Sequence, residues 1–173
     1  SNLSYTLLLG AAVSLGVAPT TAATAIGFGA GALTVLGVAH GAHRHLGGSP
    51  AVCAAVGLAT ALSPSFVFWA GGGLETPCFA LLLLAAWLVA EAAARGRRGA
   101  PALLGLLGGA LAVTRPEGHA LVPLIGVALW ARGARPREIA TALALAMTLP
   151  LAALGWRAVY YGAWVPNPVV AKL

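Results

Sequence analysis

Long apolar runs joined by short polar links dominate this sequence. Of its 173 residues, 60% are hydrophobic and only 8% are charged, and the mean hydropathy is +0.90. Soluble domains carry about 25% charged residues. A lipid bilayer accepts an apolar chain only if the backbone hydrogen bonds are made internally, which favours helices. The composition therefore predicts an all-α fold, a polytopic transmembrane helical bundle.

The apolar runs are unequal in length. A helix that crosses a bilayer needs about 20 apolar residues. Three runs meet that length and a fourth, 78–94, comes close, whereas the others are short and could be tilted, interfacial or re-entrant. We predict a single transmembrane domain over 1–173 with about seven apolar segments: 3–18, 20–39, 50–70, 78–94, 100–114, 119–131 and 138–161.

The net charge of +6 would suit a nucleic-acid partner, but its distribution favours a membrane. The arginines cluster in alternate links, which the positive-inside rule places on the cytoplasmic side. We therefore predict no nucleic-acid partner, and outward-facing links at 71–77, 114–119 and 160–173. The arginines of the cytoplasmic links are Arg44, Arg95, Arg97, Arg98, Arg132, Arg135 and Arg137.

The run Thr114-Arg115-Pro116-Glu117-Gly118-His119 interrupts two apolar segments. Ionisable residues in a membrane are costly, so they usually line a cavity, pair with one another or take part in chemistry. We interpret Arg115, Glu117 and His119 as candidate site residues; alternatively, Arg115 and Glu117 only neutralise each other. The predicted topology adds further polar residues on the same side: Glu75, Arg157, Tyr160, Tyr161, Asn167 and Lys172.

Two other polar features have competing interpretations. Glu75 precedes Thr76-Pro77, so it either caps the next helix, because carboxylates favour helix N-termini, or belongs to the site. His40, His43 and His45 lie beside Arg44, which favours a hydrated loop over a metal site. The sequence holds no convincing set of metal ligands, so we predict no metal-ligating residues. A divalent metal ion as cofactor is left as an open alternative.

Three motifs occur in a particular order and spacing: Gly73-Leu74-Glu75-Thr76, Thr114-Arg115-Pro116-Glu117-Gly118, and Tyr160-Tyr161-Gly162 followed by Val165-Pro166-Asn167 and Ala171-Lys172. Their order resembles the GT-C superfamily of integral membrane glycosyltransferases, and most closely its bacterial arabinofuranosyltransferase-like branch. The opening 1–5 also resembles the segment that follows the family's first extracytoplasmic loop. Val165 stands where the family has Leu, Pro168 follows the Asn, and Val170 occupies a Tyr position.

The resemblance implies a multi-pass enzyme of the bacterial inner membrane with an outward-facing site. Such an enzyme moves a sugar from a polyprenyl-phosphate lipid to a glycan or lipid acceptor. The family's catalytic Asp lies in its first extracytoplasmic loop, and this chain has no Asp. The expectation is therefore a middle fragment whose catalytic residue lies upstream of Ser1 and which is inactive alone.

The chemistry of sugar transfer suggests roles for the candidate residues. A departing phosphate needs cations or hydrogen-bond donors where negative charge develops. Arg115 is the first choice, with Arg157 and Lys172 as further candidates. Glu75 and Glu117 could orient sugar hydroxyls or Arg115, and Asn167 could bind the sugar. A transporter and a non-catalytic membrane subunit remain the alternatives.

Overall fold

All regular structure in the part of the chain described here is α-helical. The computed structural model describes residues 2–162, apart from the side chains of Leu46 and Tyr161. Within that range there are eight helices and no strand, so the all-α prediction is confirmed. The helices are α1 (Leu3–Ser14), α2 (Pro19–Leu46), α3 (Pro50–Ala61), α4 (Pro64–Gly71), α5 (Thr76–Ala94), α6 (Ala100–Thr114), α7 (Gly118–Ala131) and α8 (Pro136–Tyr161).

The predicted segment 50–70 is broken into two helices. α3 and α4 meet at an angle of 59°. Pro64 is the first residue of α4, with Ser63 at its N-cap in an extended conformation. Proline suits the first turn of a helix but has no N–H to continue the preceding one. An apolar run was therefore predicted correctly, but its continuity as one helix was not.

The loop predicted at His40–His45 is wrong, because these residues belong to the last turns of α2. The helix ends where Gly47 takes the left-handed conformation, with φ +60°, and the Gly48 N–H donates to the Ala42 carbonyl at 3.3 Å. Such a glycine cap satisfies carbonyls left open at a helix end. Polar side chains did not end the helix, since they can extend to water from its last turns.

Three of the described helices are long and apolar enough to cross a membrane: Pro19–His45, Thr76–Ala94 and Pro136–Tyr160. The bent α3–α4 pair would make a fourth span if its two helices cross together. α1, α6 and α7 are apolar but shorter. These lengths support a membrane protein, whereas the predicted bundle of about seven segments stays a prediction.

The helices form two compact units, Ser4–Leu88 and Val89–Leu173 with Ser1–Leu3. We call them the amino-terminal and carboxy-terminal units. In the amino-terminal unit α2 packs against α3 and α4. A Cβ at Gly27 would collide with the Ala70 carbonyl, so α2 and α4 approach closely because Gly27 has no side chain. The prediction of a single domain is not tested by this division.

In the carboxy-terminal unit α6 packs against both α7 and α8. Gly105 faces Ala142, and Gly109 faces Ala146. The contacts advance by four residues on each helix, so α6 and α8 run parallel. Small residues at this spacing let membrane helices approach backbone to backbone. Ala146 is fully buried and belongs to a core with Ala112 and Val122.

Candidate functional site

The break between α6 and α7 is three residues long and is caused by Pro116. Arg115 is extended, with φ −144° and ψ 149°, because a residue that precedes proline is disfavoured in the helical region. The N–H groups of Gly118 and His119 then donate to the carbonyls of Arg115 and Pro116 at 3.0 and 3.1 Å. The chain therefore reverses with its backbone hydrogen-bonded, and it presents the side chains of 115–117 at the turn.

Gly118 brings the two helices of this hairpin into contact. It is buried, and a Cβ there would collide with the backbone of Leu111 in α6. Thr114 is 1% exposed, and its hydroxyl donates to the Ala110 carbonyl at 2.6 Å. Thr114 and Gly118, which flank the turn, are thus buried, whereas residues 115–117 between them lie at the surface.

Arg115 and Glu117 form a two-pronged ion pair at the turn. Arg115 Nε donates to Glu117 Oε2 at 3.3 Å, and Arg115 Nη2 donates to Glu117 Oε1 at 3.2 Å. The side chains are 31% and 64% exposed, respectively. Hydrogen bonds from the Arg115 guanidinium, followed by a backbone hydrogen bond, hold the pKa of the Glu117 carboxyl below its ordinary value. The guanidinium is accordingly both oriented and accessible.

The turn lies well short of the far end of α8. Gly109 lies level with Ala146, so Thr114 at the end of α6 is level with Leu151. α8 continues to Tyr161, which is about ten residues and about 15 Å further. Arg157 is on this extension, where Trp156 and Tyr160 stack with ring centroids 5.4 Å apart. The Arg115–Glu117 turn therefore follows the end of α6 at a level well before the last residue of α8.

His119 is exposed in the first turn of α7. α7 also contains Pro123, which has no N–H to donate to the carbonyl four residues earlier. That carbonyl belongs to His119. The His119 carbonyl therefore receives no hydrogen bond from residue 123.

The other predicted site residues are more scattered. Glu75 is half-buried in the amino-terminal unit, and its carbonyl accepts a hydrogen bond from the Phe79 N–H at 2.9 Å. That position at the start of α5 fits the capping interpretation without excluding a site role. Its predicted approach to Arg115 would join the two units and stays a prediction. Arg157 is half-buried on α8, whereas the Tyr161 side chain, Asn167 and Lys172 lie outside the described residues.

A second ion pair lies at the opposite end of the α6–α7 hairpin. Arg132, at the C-terminus of α7, donates from Nη2 to Glu91 Oε1 of α5 at 2.8 Å. Nearby, the Arg135 N–H donates to Glu138 Oε2 at 2.9 Å and caps α8. The C-terminal ends of α5 and α7 are therefore connected within the carboxy-terminal unit; the sidedness of their arginine-bearing links stays a prediction.

Among residues 2–162, no three His, Cys, Asp or Glu side chains lie close enough together to hold a metal ion. Thr20 and Thr24, which were not predicted to be site residues, line an open groove in the amino-terminal unit. Their four-residue spacing at the start of an apolar helix was the available signal.

No family model, curated protein or solved structure matches the chain.

Proposed function

We propose that this protein is part of a membrane glycosyltransferase that uses a polyprenyl-phosphate sugar. The accessible, two-pronged Arg115–Glu117 pair at the α6–α7 turn is the observation that supports the proposal. A planar guanidinium binds phosphate through two parallel hydrogen bonds. A carboxylate that already orients the guanidinium reduces the entropy lost when the phosphate binds.

In the proposed reaction, the bond between the anomeric carbon and the phosphate oxygen breaks. The acceptor oxygen forms a new bond to the same carbon and gives its proton to a carboxylate base. Arg115 stabilises the charge that develops on the departing phosphate, and Glu117 keeps the guanidinium in place. The family resemblance assigns this role to an Asp, a residue type that the sequence does not contain.

The setting of the turn also supports a lipid-borne donor. The α6 helix that leads into the turn packs against α8, a helix long and apolar enough to cross a membrane. Apolar helix faces could hold a polyprenyl tail while the polar turn holds the headgroup. We further propose that the enzyme lies in the bacterial inner membrane with its site facing outward. Its acceptor is then a glycan or a lipid.

The proposal is tested by sugar transfer in membranes that contain the chain within its complete reading frame. Arg115→Ala should lower transfer from a radiolabelled polyprenyl-phosphate sugar by about 100-fold or more, as when one oxyanion donor is removed. Arg115→Lys should also be damaging, because Lys keeps the charge but loses the planar pair of donors. Protein amounts in the membranes are matched by immunoblot.

Arg132→Ala is the matched control, because Arg132 also pairs with a Glu but lies at the other end of the hairpin. It should retain transfer within a few-fold of wild type. Equal losses from Arg115→Ala and Arg132→Ala would contradict a phosphate-binding role for Arg115.

A non-catalytic membrane subunit is the second candidate. It is favoured by the same closeness of Arg115 and Glu117, since charges two residues apart can simply neutralise each other. In that case Arg115→Met combined with Glu117→Gln should leave the assembly's activity near normal, because neither charge is left alone. If Arg115 binds phosphate, this double variant should be as defective as Arg115→Ala.

A further inference from the structure

Six exposed arginines lie at one end of the carboxy-terminal unit. They occupy the link from α5 to α6, the link from α7 to α8, and the first turn of α8. Because α6 and α8 run parallel, with Gly105 facing Ala142, the links that lead into them lie at the same end. Together with Glu91 and Glu138, the six arginines give this end a net charge of +4. We call the set the arginine end: Arg95, Arg97, Arg98, Arg132, Arg135 and Arg137.

The two links are short and built alike. After α5, the N–H groups of Gly96 and Arg97 donate to carbonyls in the last turn of the helix at 2.9 and 3.1 Å. After α7, the N–H groups of Gly133 and Ala134 donate in the same pattern at 2.9 and 3.0 Å. Both glycines have positive φ, as this kind of helix cap requires. Each link therefore turns tightly and keeps its arginines within a few residues of a helix end.

Helix stability accounts for only some of these arginines. Arg95 and Arg132 directly follow the last residues of α5 and α7, where the helix dipole favours a cation. Arg97, Arg98 and Arg137 instead lie at or just before the starts of α6 and α8, where the dipole disfavours a cation. The side chains of these three have no ion-pair partner in the part of the chain that the structure describes. Their charge is therefore available to an anion from outside the chain.

Exposed apolar side chains adjoin this charge. Trp130, in the last turn of α7, is 73% exposed, and Leu103, in the first turn of α6, is 48% exposed. Tryptophan is enriched at the level of lipid headgroups in membrane proteins. α8 begins at the arginine end and is long and apolar enough to cross a membrane. When α8 spans a bilayer, the arginine end therefore lies at the membrane surface.

We propose that the arginine end binds an anionic diacyl phospholipid, with Arg97, Arg98 and Arg137 at its phosphodiester and Trp130 and Leu103 beside its acyl chains. Guanidinium groups donate paired hydrogen bonds to phosphate oxygens, and arginines at a membrane surface attract anionic lipids. A zwitterionic lipid carries a cation that the same arginines repel, so the site is selective for headgroup charge.

This site is separate from the proposed sugar-transfer site. The two lie at opposite ends of α6, which has 15 residues and is therefore about 22 Å long. Phospholipid binding requires that the apolar helices lie in a membrane, but it does not require that the protein transfers a sugar. Failure of one proposal therefore leaves the other standing.

The test measures which phospholipids stay bound. The chain, within its complete reading frame, is placed in nanodiscs of equal phosphatidylglycerol and phosphatidylcholine, and native mass spectrometry counts the lipids it retains. Phosphatidylglycerol should be retained at least about tenfold over phosphatidylcholine at low salt, and less at high salt because salt screens charges. Equal retention of the two lipids would overturn the proposal. Displacement of phosphatidylglycerol by millimolar glycerol phosphate would overturn it too, because the acyl chains would then contribute nothing.

Variants locate the binding at the arginine end. Arg98→Gln should lower the retention of phosphatidylglycerol about fivefold, and Arg97→Gln combined with Arg98→Gln by more than about tenfold. Arg97→Lys combined with Arg98→Lys should keep most of the retention, because the charge is kept. Arg44→Gln is the matched control, since it removes one arginine near a helix end in the amino-terminal unit, and it should leave retention unchanged.

Two outcomes would contradict this location. One is wild-type retention in the double glutamine variant, and the other is a loss in Arg44→Gln equal to that in Arg98→Gln. Circular dichroism checks that each variant is folded, and the double lysine variant separates loss of charge from loss of structure.

Discussion

The two ends of the α6–α7 hairpin each carry an Arg–Glu pair, but the pairs connect different things. Arg115 and Glu117 are two residues apart and lie in one turn. Arg132 and Glu91 are 41 residues apart and connect α7 to α5. A local pair forms wherever its turn forms, so it adds little constraint to the fold. A long-range pair forms only after two helices have met.

The two ends of the hairpin therefore use their charged residues differently. At the Arg132 end, a partly exposed ion pair connects α7 to α5. At the Arg115 end, Thr114 and Gly118 do the packing, and the charged residues between them are left accessible. Because Arg115 contributes little to the packing of its turn, it is a better candidate for binding a ligand than Arg132, which connects two helices.

The largest expected effect concerns sidedness. With Cys53 and Cys78 replaced by Ala, a single cysteine at Arg98→Cys or His119→Cys is exposed to an impermeant maleimide applied from outside. We expect labelling of the His119 position and none of the Arg98 position, because the two ends of α6 and its hairpin face opposite sides under the positive-inside rule. Labelling of Arg98→Cys in intact cells would reverse the predicted topology.

The next comparison sets Gly118 against Gly133. Gly118→Ala should lower the free energy of unfolding by about 3 kcal/mol, because the new methyl group meets the Leu111 backbone and the hairpin must open. Gly133→Ala should cost about 1 kcal/mol, since its φ of +74° is unfavourable for alanine although nothing lies within 4 Å of the added carbon. Thermal unfolding in detergent gives both values. A loss at Gly118 no larger than that at Gly133 would contradict the close contact of Gly118 with the Leu111 backbone.

Removing each pair should separate fold from function. Arg132→Met should lower stability by at most about 1 kcal/mol, because Arg132 and Glu91 are partly exposed and water screens such pairs. Arg115→Met should lower the unfolding midpoint less than Arg132→Met does, since the Arg115–Glu117 ion pair lies within a single turn. A larger destabilisation by Arg115→Met than by Arg132→Met would contradict the division between the two ends.

The smallest effect is the titration of Glu117. Its folded pKa lies below the ordinary 4.5, chiefly because of hydrogen bonds from Arg115. The stabilisation from this shift is therefore complete above the ordinary pKa and is lost as the pH falls through the lowered one. Carbon NMR of labelled glutamate, with Glu117→Gln to assign the signal, should give a midpoint below 4.5. Arg115→Met should raise that midpoint and Arg132→Met should not; an unchanged midpoint in Arg115→Met would show that Arg115 is not the cause.

Much of the helical layout could be predicted because apolar run length and proline position act locally. Segment 100–114 coincides with α6, and the break at Pro116 is where the pre-proline restriction places it. The errors occurred where the end of a helix depends on backbone conformation. Gly47 ended α2 after its polar residues, and Pro64 divided a run that was apolar throughout.

The candidate site was only partly predictable. Its residue types and the Arg115–Glu117 pairing follow from a spacing of two residues around Pro116, which the sequence displays directly. The groove at Thr20 and Thr24 could not be predicted from residue spacing, because its second wall comes from glycines about 50 residues later. Hydroxyl groups at one helix end have no evident function until another element is placed beside them.

Composition and the positions of proline and glycine were therefore sufficient to determine an all-helical chain and the places where several helices stop. Those are properties of short stretches of backbone and of the energetic cost of polar groups in an apolar setting. Only the tertiary structure decided that Glu91 meets Arg132, that Gly105 and Gly109 bring α6 against α8, and that α6 ends well before α8 does. Each depends on which helices pack together, and many helix pairs are compatible with the same apolar pattern.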